Sequence, residues 1–190
     1  MPKERVLEAA EALFADASTP TAVSMDDIAA AAGVGKGTLF RAFGSRDGLL
    51  DAVFAARIAP WRAELDRPGS PVGPDAPPVD RIVAVLGQLL AFKLENPRLT
   101  AARELDGASL LRAPHYVWVH EVLARLIVET GSSATVGNYA AHMLLGALRT
   151  EVVGELLDSG RDAAAVAEDL ATLTRRLLNA GPPGGDTGPA

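Results

Sequence analysis

The sequence predicts an all-α protein, an N-terminal three-helix helix-turn-helix followed by a larger helical domain, about nine helices in all. Three observations predict it. Apolar residues recur at three- and four-residue spacing along most of the chain. The stretch 24–43 holds a capping sequence, a glycine stop and a core-type leucine spaced as a two-helix corner requires. No segment alternates apolar and polar residues as a half-buried strand does.

In order along the chain, Val6, Leu7, Ala10, Leu13 and Phe14 make one apolar face, predicting a helix over 3–16 that breaks at Ser18-Thr-Pro-Thr21. Ser24 with Asp27 three residues later is a capping box, so a second short helix opens there and stops at Gly33. A third starts near Gly35 or Lys36, carries Leu39, Phe40 and Phe43, and ends at Gly44. Ser45 caps a fourth over 46–65, with Asp47 favouring its N-terminus and Pro60 positioned to kink or end it. Residues 67–78 contain five prolines and two glycines and read as a poorly ordered linker. Residues 79–95 are apolar on several faces, predicting a buried central helix. Pro97 starts a short helix. Pro114 starts another, with Val119, Val122, Leu123, Leu126 and Ile127 inward and Glu121, Arg125 and Glu129 outward. Two long helices, 134–158 and 162–179, close the domain on either side of Gly160. The expected units are 1–46 for the helix-turn-helix, 47–180 for the larger domain, and a disordered tail at 181–190.

The composition narrows the function. With 190 residues and 48% hydrophobic content, the chain can build a core without disulfides or structural metal. It has no cysteine, which excludes thiolate metal sites and fits a reducing cytoplasm. Glu4, Glu8 and Glu11 interrupt any signal-peptide core, and no uninterrupted apolar run reaches about 18 residues, so a cytoplasmic location is expected. Net charge is −6, yet residues 28–46 contain no acid while holding Lys36, Arg41 and Arg46. Such a local basic face can meet phosphates on an otherwise acidic molecule.

Within 24–43, Ala29 lets two helices cross closely, Gly33 supplies a turn residue tolerant of positive φ, and Leu39 plugs the corner, with Ile28 and Val34 adding apolar support. The runs Arg5-Val-Leu-Glu-Ala-Ala-Glu-Ala-Leu-Phe14, Ser24-Met-Asp-Asp-Ile-Ala29, Ala32-Gly-Val-Gly-Lys-Gly-Thr-Leu-Phe-Arg-Ala-Phe43 and Ser45-Arg-Asp-Gly-Leu-Leu50 resemble the DNA-binding domain of the TetR (tetracycline-repressor) family, over about residues 3–54. The resemblance implies that residues 35–41 lie in the major groove as a recognition helix. Lys36 is then the candidate for a base-edge contact, while Gly35 and Gly37 let the backbone approach the duplex. Thr38 and Arg41 are candidates for phosphate, with Arg41 also within reach of a base. Ser24 caps first and binds phosphate second. Arg46 stands where the family usually places a lysine on the DNA backbone. Phe40 and Ala42 replace residues that commonly supply phosphate contacts, with Phe40, a DNA-face candidate, and Phe43 also read as core.

The same resemblance implies an effector cavity among the middle helices and dimerisation through the last two. Leu144, Ala147, Leu148, Val152, Leu156 and Leu157, with Val166, Ala167, Leu170, Leu173, Leu177 and Leu178, exceed what one thin layer buries and suit a two-fold four-helix bundle. Candidates for the cavity wall are Trp61, Gln88, Phe92, Arg103, Trp118 and Met143, a set suited to a largely apolar molecule; Arg103 serves equally as an anion anchor or in an ion pair with Glu104 or another acid. His115, His120 and His142 are the only imidazoles, so neither a metal site nor a cofactor is expected, and no catalytic motif is present. The expected function is a dimeric regulator, a repressor of a palindromic operator released by a small-molecule effector. The competing expectation is a helical ligand-binding or enzymatic bundle whose helix-turn-helix no longer binds DNA.

Overall fold

Eleven helices and no strand make up the described residues, 3–105 and 107–179 of the computed structural model. The expected tail at 181–190 lies outside them.

α1 (Lys3–Asp16) buries Val6, Ala10 and Phe14, one residue per turn of a single face. α2 (Met25–Ala32) opens on the capping box: Asp27 N–H donates to Ser24 Oγ at 3.2 Å and Ser24 N–H to Asp27 Oδ2 at 2.9 Å. It closes at Gly33, whose φ of 65° belongs to the left-handed region that a side chain penalises. α3 (Lys36–Phe43) follows, anchored by Leu39, which is fully buried. α4 (Arg46–Leu65) is capped by Ser45, which accepts from Gly48 N–H at 3.0 Å. α4 runs through Pro60, which stands on its exposed face.

These four helices share one core. Val6, Phe14, Ile28, Leu39, Leu49 and Leu50 pack together, and Phe92, Leu99 and Ala102 from α5 (Pro78–Glu95) and α6 (Pro97–Glu104) close it. A second core fills the larger domain. There α5 packs against α8 (Pro114–Glu129) and α11 (Ala163–Asn179), with Ile82, Leu86, Leu90, Leu123, Leu126 and Ile127 at its centre. α7 (Gly107–Leu110) is a single turn between α6 and α8. α8 lies close along α9 (Ala134–Ala147): a Cβ built on Gly137 would sit 3.0 Å from the Ala124 carbonyl oxygen.

Three expectations are corrected. The proline-rich stretch 67–78 is not a loose linker but is folded onto the second core. Val72 is buried there, Arg81 Nε donates to its carbonyl at 3.0 Å, and Gly69 N–H donates to Asp75 at 3.0 Å. A lone valine among prolines carries little periodicity, yet it fills a gap in an existing core. The helix expected over 134–158 is two helices, α9 and α10 (Thr150–Asp158). At the break, Thr150 N–H donates to the Glu104 carboxylate at 2.7 Å instead of to a helical carbonyl. That cap comes from 46 residues away in sequence and leaves no local signature. With α7 and this break, the count is eleven helices among the described residues instead of about nine.

Candidate nucleic-acid interface and ligand cavity

α3 turns Leu39 inward and presents Lys36, Gly37, Phe40 and Arg41 outward. Lys36 Nζ pairs with Asp26 Oδ2 of α2 at 2.8 Å, with about three-fifths of each side chain exposed (61% and 60%). A pair this wet contributes at most about 1 kcal/mol, so a phosphate or base edge can take the ammonium from it. Arg41 reaches back to Thr38 Oγ1 at 3.4 Å. Phe40, read from sequence as core before contact, is instead exposed on this face.

A Cβ on Gly37 meets no atom within 4 Å, so the protein itself makes no demand for glycine there. Glycine inside a helix costs about 1 kcal/mol relative to alanine. Gly37→Ala is therefore expected to stabilise the free protein by up to about 1 kcal/mol in chemical denaturation while weakening operator binding in a mobility-shift titration. Equal or tighter DNA binding would contradict close backbone approach at this position.

Ser24 and Arg46 are engaged inwardly. The Ser24 hydroxyl donates to Asp27 Oδ2 at 2.6 Å, and the Ser24 side-chain and backbone hydrogen bonds hold the Asp27 carboxyl below its ordinary pKa. Arg46 donates to the carbonyls of Pro20 (2.7 Å) and Val23 (3.3 Å) and lies 5.4 Å from the Phe14 ring centroid, stitching the α1–α2 loop to α4. Burial lowers its pKa.

A cavity of about 350 Å³ opens between α4, α5, α6, α8 and α9. Phe54 and Ile58 of α4, Leu89, Val119 and Leu145 give it apolar walls. Of the six residues expected there, Arg103 stands on the wall. Phe92 and Trp61 pack edge-on at 6.0 Å, with Phe92 turned to Phe54 at 5.3 Å, in the layer behind it. Trp118 lies half-buried with the Arg62 guanidinium 4.8 Å from its ring, Gln88 is half-buried on α5, and Met143 is exposed on α9. The structure adds Phe54, Ile58, His115, Tyr116 and His142. Their helical spacing marks Phe54 and Ile58 only as inward-facing, and which of two cores they face is settled by tertiary packing.

The charges around the cavity are paired. Arg103, almost wholly buried, donates to Asp51 of α4 at 2.7 Å and approaches Asp47 at 3.9 Å, so its acid partners come from α4 and not from Glu104. Glu104 is paired with Lys93, and Arg149 with Glu151 at 2.9 Å. His115 stacks on Phe54 at 4.4 Å, and its buried Nδ1, without a hydrogen-bond partner, lies 3.5 Å from Asp51 Oδ1. Burial pushes the Asp51 carboxyl up, but the adjacent His115 and Arg103 outweigh this and leave its pKa below the usual value.

Burial pulls the His115 pKa down, more than Asp51 raises it, so the folded imidazole resists protonation. The unfolded chain takes up that proton near pH 6.5. Stability is then at its full value above about pH 6.5 and declines as pH falls through the window below it. Burial, with His120, lowers His142 in the same direction. The melting temperature is expected to drop between about pH 7 and 5, with a shallower slope in His115→Phe. An unchanged slope would contradict a neutral buried imidazole.

Among the described residues, no group of three or more His, Cys, Asp or Glu side chains is placed to hold a metal ion, and no helix is long and apolar enough to cross a membrane.

Residues 6–53 match the family described as bacterial regulatory proteins, tetR family. Comparison with curated proteins gives no match. Among solved structures, a TetR transcriptional regulator from Rhodococcus sp. RHA1 is 21% identical with a TM-score of 0.65, the alignment covering 94% of this chain and 95% of that one. FadR from Bacillus subtilis, solved with stearoyl-CoA, is 16% identical with a TM-score of 0.65 over 90% and 96%. NalD of Pseudomonas aeruginosa, the secondary repressor of the MexAB-OprM multidrug efflux pump, is 20% identical with a TM-score of 0.63 over 92% and 94%. At these identities the structures share the fold, and the family match is confined to α1–α4. The N-terminal helices α1–α4 thus match the tetR family of bacterial regulatory proteins, and the helical arrangement of the whole chain is similar to that of solved TetR regulators.

Proposed function

We propose that the protein is a cytoplasmic, homodimeric transcriptional repressor whose α3 reads a palindromic operator and whose cavity binds a largely apolar effector that releases the DNA. One observation carries this reading: α4 belongs to both sites. Its Leu49 and Leu50 lie in the core that supports α3, and its Phe54 and Ile58 form the cavity wall. A molecule entering the cavity presses on the helix that positions the DNA-reading element. It shifts the balance between conformers by the difference in its affinity for them. In this reading Arg103, gripping Asp51, holds α4 in the DNA-competent position. The fold is shared with FadR, solved with stearoyl-CoA, and with NalD, a repressor, which supports ligand binding and repression in this reading.

The DNA-binding residues in this reading are Lys36, Thr38, Phe40 and Arg41, with Gly35 and Gly37 permitting approach; at the rim, Ser24 reaches phosphate by exchanging its Asp27 bond for it and Arg46 through the N–H groups its carbonyl partners leave. The alternative, an enzymatic or ligand-binding bundle with a degenerate motif, rests on Phe40 and Ala42; against it, the α3 face is exposed and its cations are free to exchange partners. Exposed Val152 of α10 and Leu173 and Leu177 of α11 favour a two-fold interface through the closing helices. Leu173→Glu with Leu177→Glu is expected to yield a folded monomer by sedimentation and to abolish tight operator binding; a dimer persisting in this variant would place the interface elsewhere.

Selection from a random duplex pool tests the function. Enrichment of an inverted repeat with half-site centres about one helical turn apart supports it. Recovery of sequences without dyad symmetry would overturn it.

A further inference from the structure

The cavity is not closed by backbone on its α8–α9 side. Leu111, Tyr116 and His142 line it and also line a second, more open recess on the protein surface. The two spaces differ in chemistry. The inner one is apolar, with each charged side chain on its wall already paired, so a charged ligand group would have to break an existing pair to be answered there. The outer one adds His120, Glu121 and Asn138. The partition between them is slight: the Tyr116 hydroxyl bonds His142 Nδ1 at 2.8 Å, and Leu111 is exposed. Beyond it, the His120 and His142 rings stand 4.0 Å apart. His120 Nε2–H donates to the Asn138 carbonyl oxygen at 3.2 Å, leaving the Nδ1 lone pair as an acceptor at the recess.

We propose that the effector is a single-headed amphiphile. Its apolar body fills the inner cavity, and its hydroxyl head emerges between Tyr116 and His142 to donate to His120 Nδ1 and bond at His142, whereas a carboxylate, which only accepts, would find no donor on His120 and would face Glu121. This inference rests on the sensor reading of the cavity and specifies what occupies it. Tyr116 and His142 then act as the gate, their mutual bond giving way to bonds with the head.

The test is titration calorimetry of the full chain with octane, octanol and octanoate as probes. Gly146→Phe is the control that fills the inner cavity, since a Cβ at Gly146, on the cavity wall, meets nothing within 4 Å. Octanol is expected to bind about tenfold more tightly than octane, as one or two net hydrogen bonds would give, and more tightly than octanoate. His120→Ala is expected to erase that advantage, and Gly146→Phe, with its fold checked by thermal melting, to abolish binding of all three. Equal binding of octane and octanol, or an octanol advantage that survives in His120→Ala, overturns the hydroxyl-headed amphiphile. Failure of all three probes to bind a protein that still binds DNA overturns the apolar sensor as well.

Discussion

Glu104→Ala is expected to lower the unfolding free energy by about 3–5 kcal/mol, read by chemical denaturation. Glu104 and Lys93 form an ion pair with only 6% and 11% of their side chains exposed. Burial drags the Lys93 pKa down, and the Glu104 charge and hydrogen bond oppose that shift. Truncating Glu104 strands a buried ammonium and also removes the carboxylate that caps Thr150 at the start of α10. Arg149, which donates to the Glu104 carbonyl at 3.3 Å, keeps its partner, because that oxygen is backbone. Since the cost is an uncompensated charge more than a lost attraction, Lys93→Met with Glu104→Met is expected to be markedly less destabilising than Glu104→Ala alone. A double variant as unstable as the single one would mean that the α10 cap, and not the ion pair, dominates.

The second large effect concerns affinity. On the proposed reading of α3 in a two-fold dimer, Lys36→Ala with Arg41→Ala removes from each subunit a base-edge contact worth about 1–3 kcal/mol and one phosphate neutralisation. Two-fold symmetry doubles both losses, so operator affinity is expected to fall by roughly 10²–10⁴. Stability should hardly change, because both side chains are exposed and the Lys36–Asp26 pair contributes little. The variant thus separates DNA recognition from folding, which Glu104→Ala does not.

These two predictions mark where the sequence could be read and where it could not. α1–α4 are specified by local signals: the Ser24–Asp27 box, Gly33 at positive φ, and Ser45 bonding Gly48 N–H all lie within a few residues of the element they bound. The outward face of α3 follows from the placement of Leu39 inside. The cavity is different. Phe54, His115 and His142 reach it from three helices, and the polar ties that shape it, Arg103 to Asp51 and Glu104 to Thr150, span 52 and 46 residues. Apolar periodicity says that such residues face inward but not which space they line. For that reason Trp61 and Phe92, chosen for size, lie in the layer behind the wall, while Phe54 and Ile58 form it. The break after α9 escaped for the same cause, being imposed by a side chain from α6.

The account stands on α3 being the surface that meets DNA, and a mobility-shift titration of the wild type and of Lys36→Ala/Arg41→Ala against the duplex upstream of the protein's own coding sequence addresses it directly. The wild type should give a saturable complex, and the variant, with an unchanged melting temperature, should lose it along with about one unit of salt-dependence slope for each phosphate contact removed. Undiminished binding by the variant would contradict the assignment.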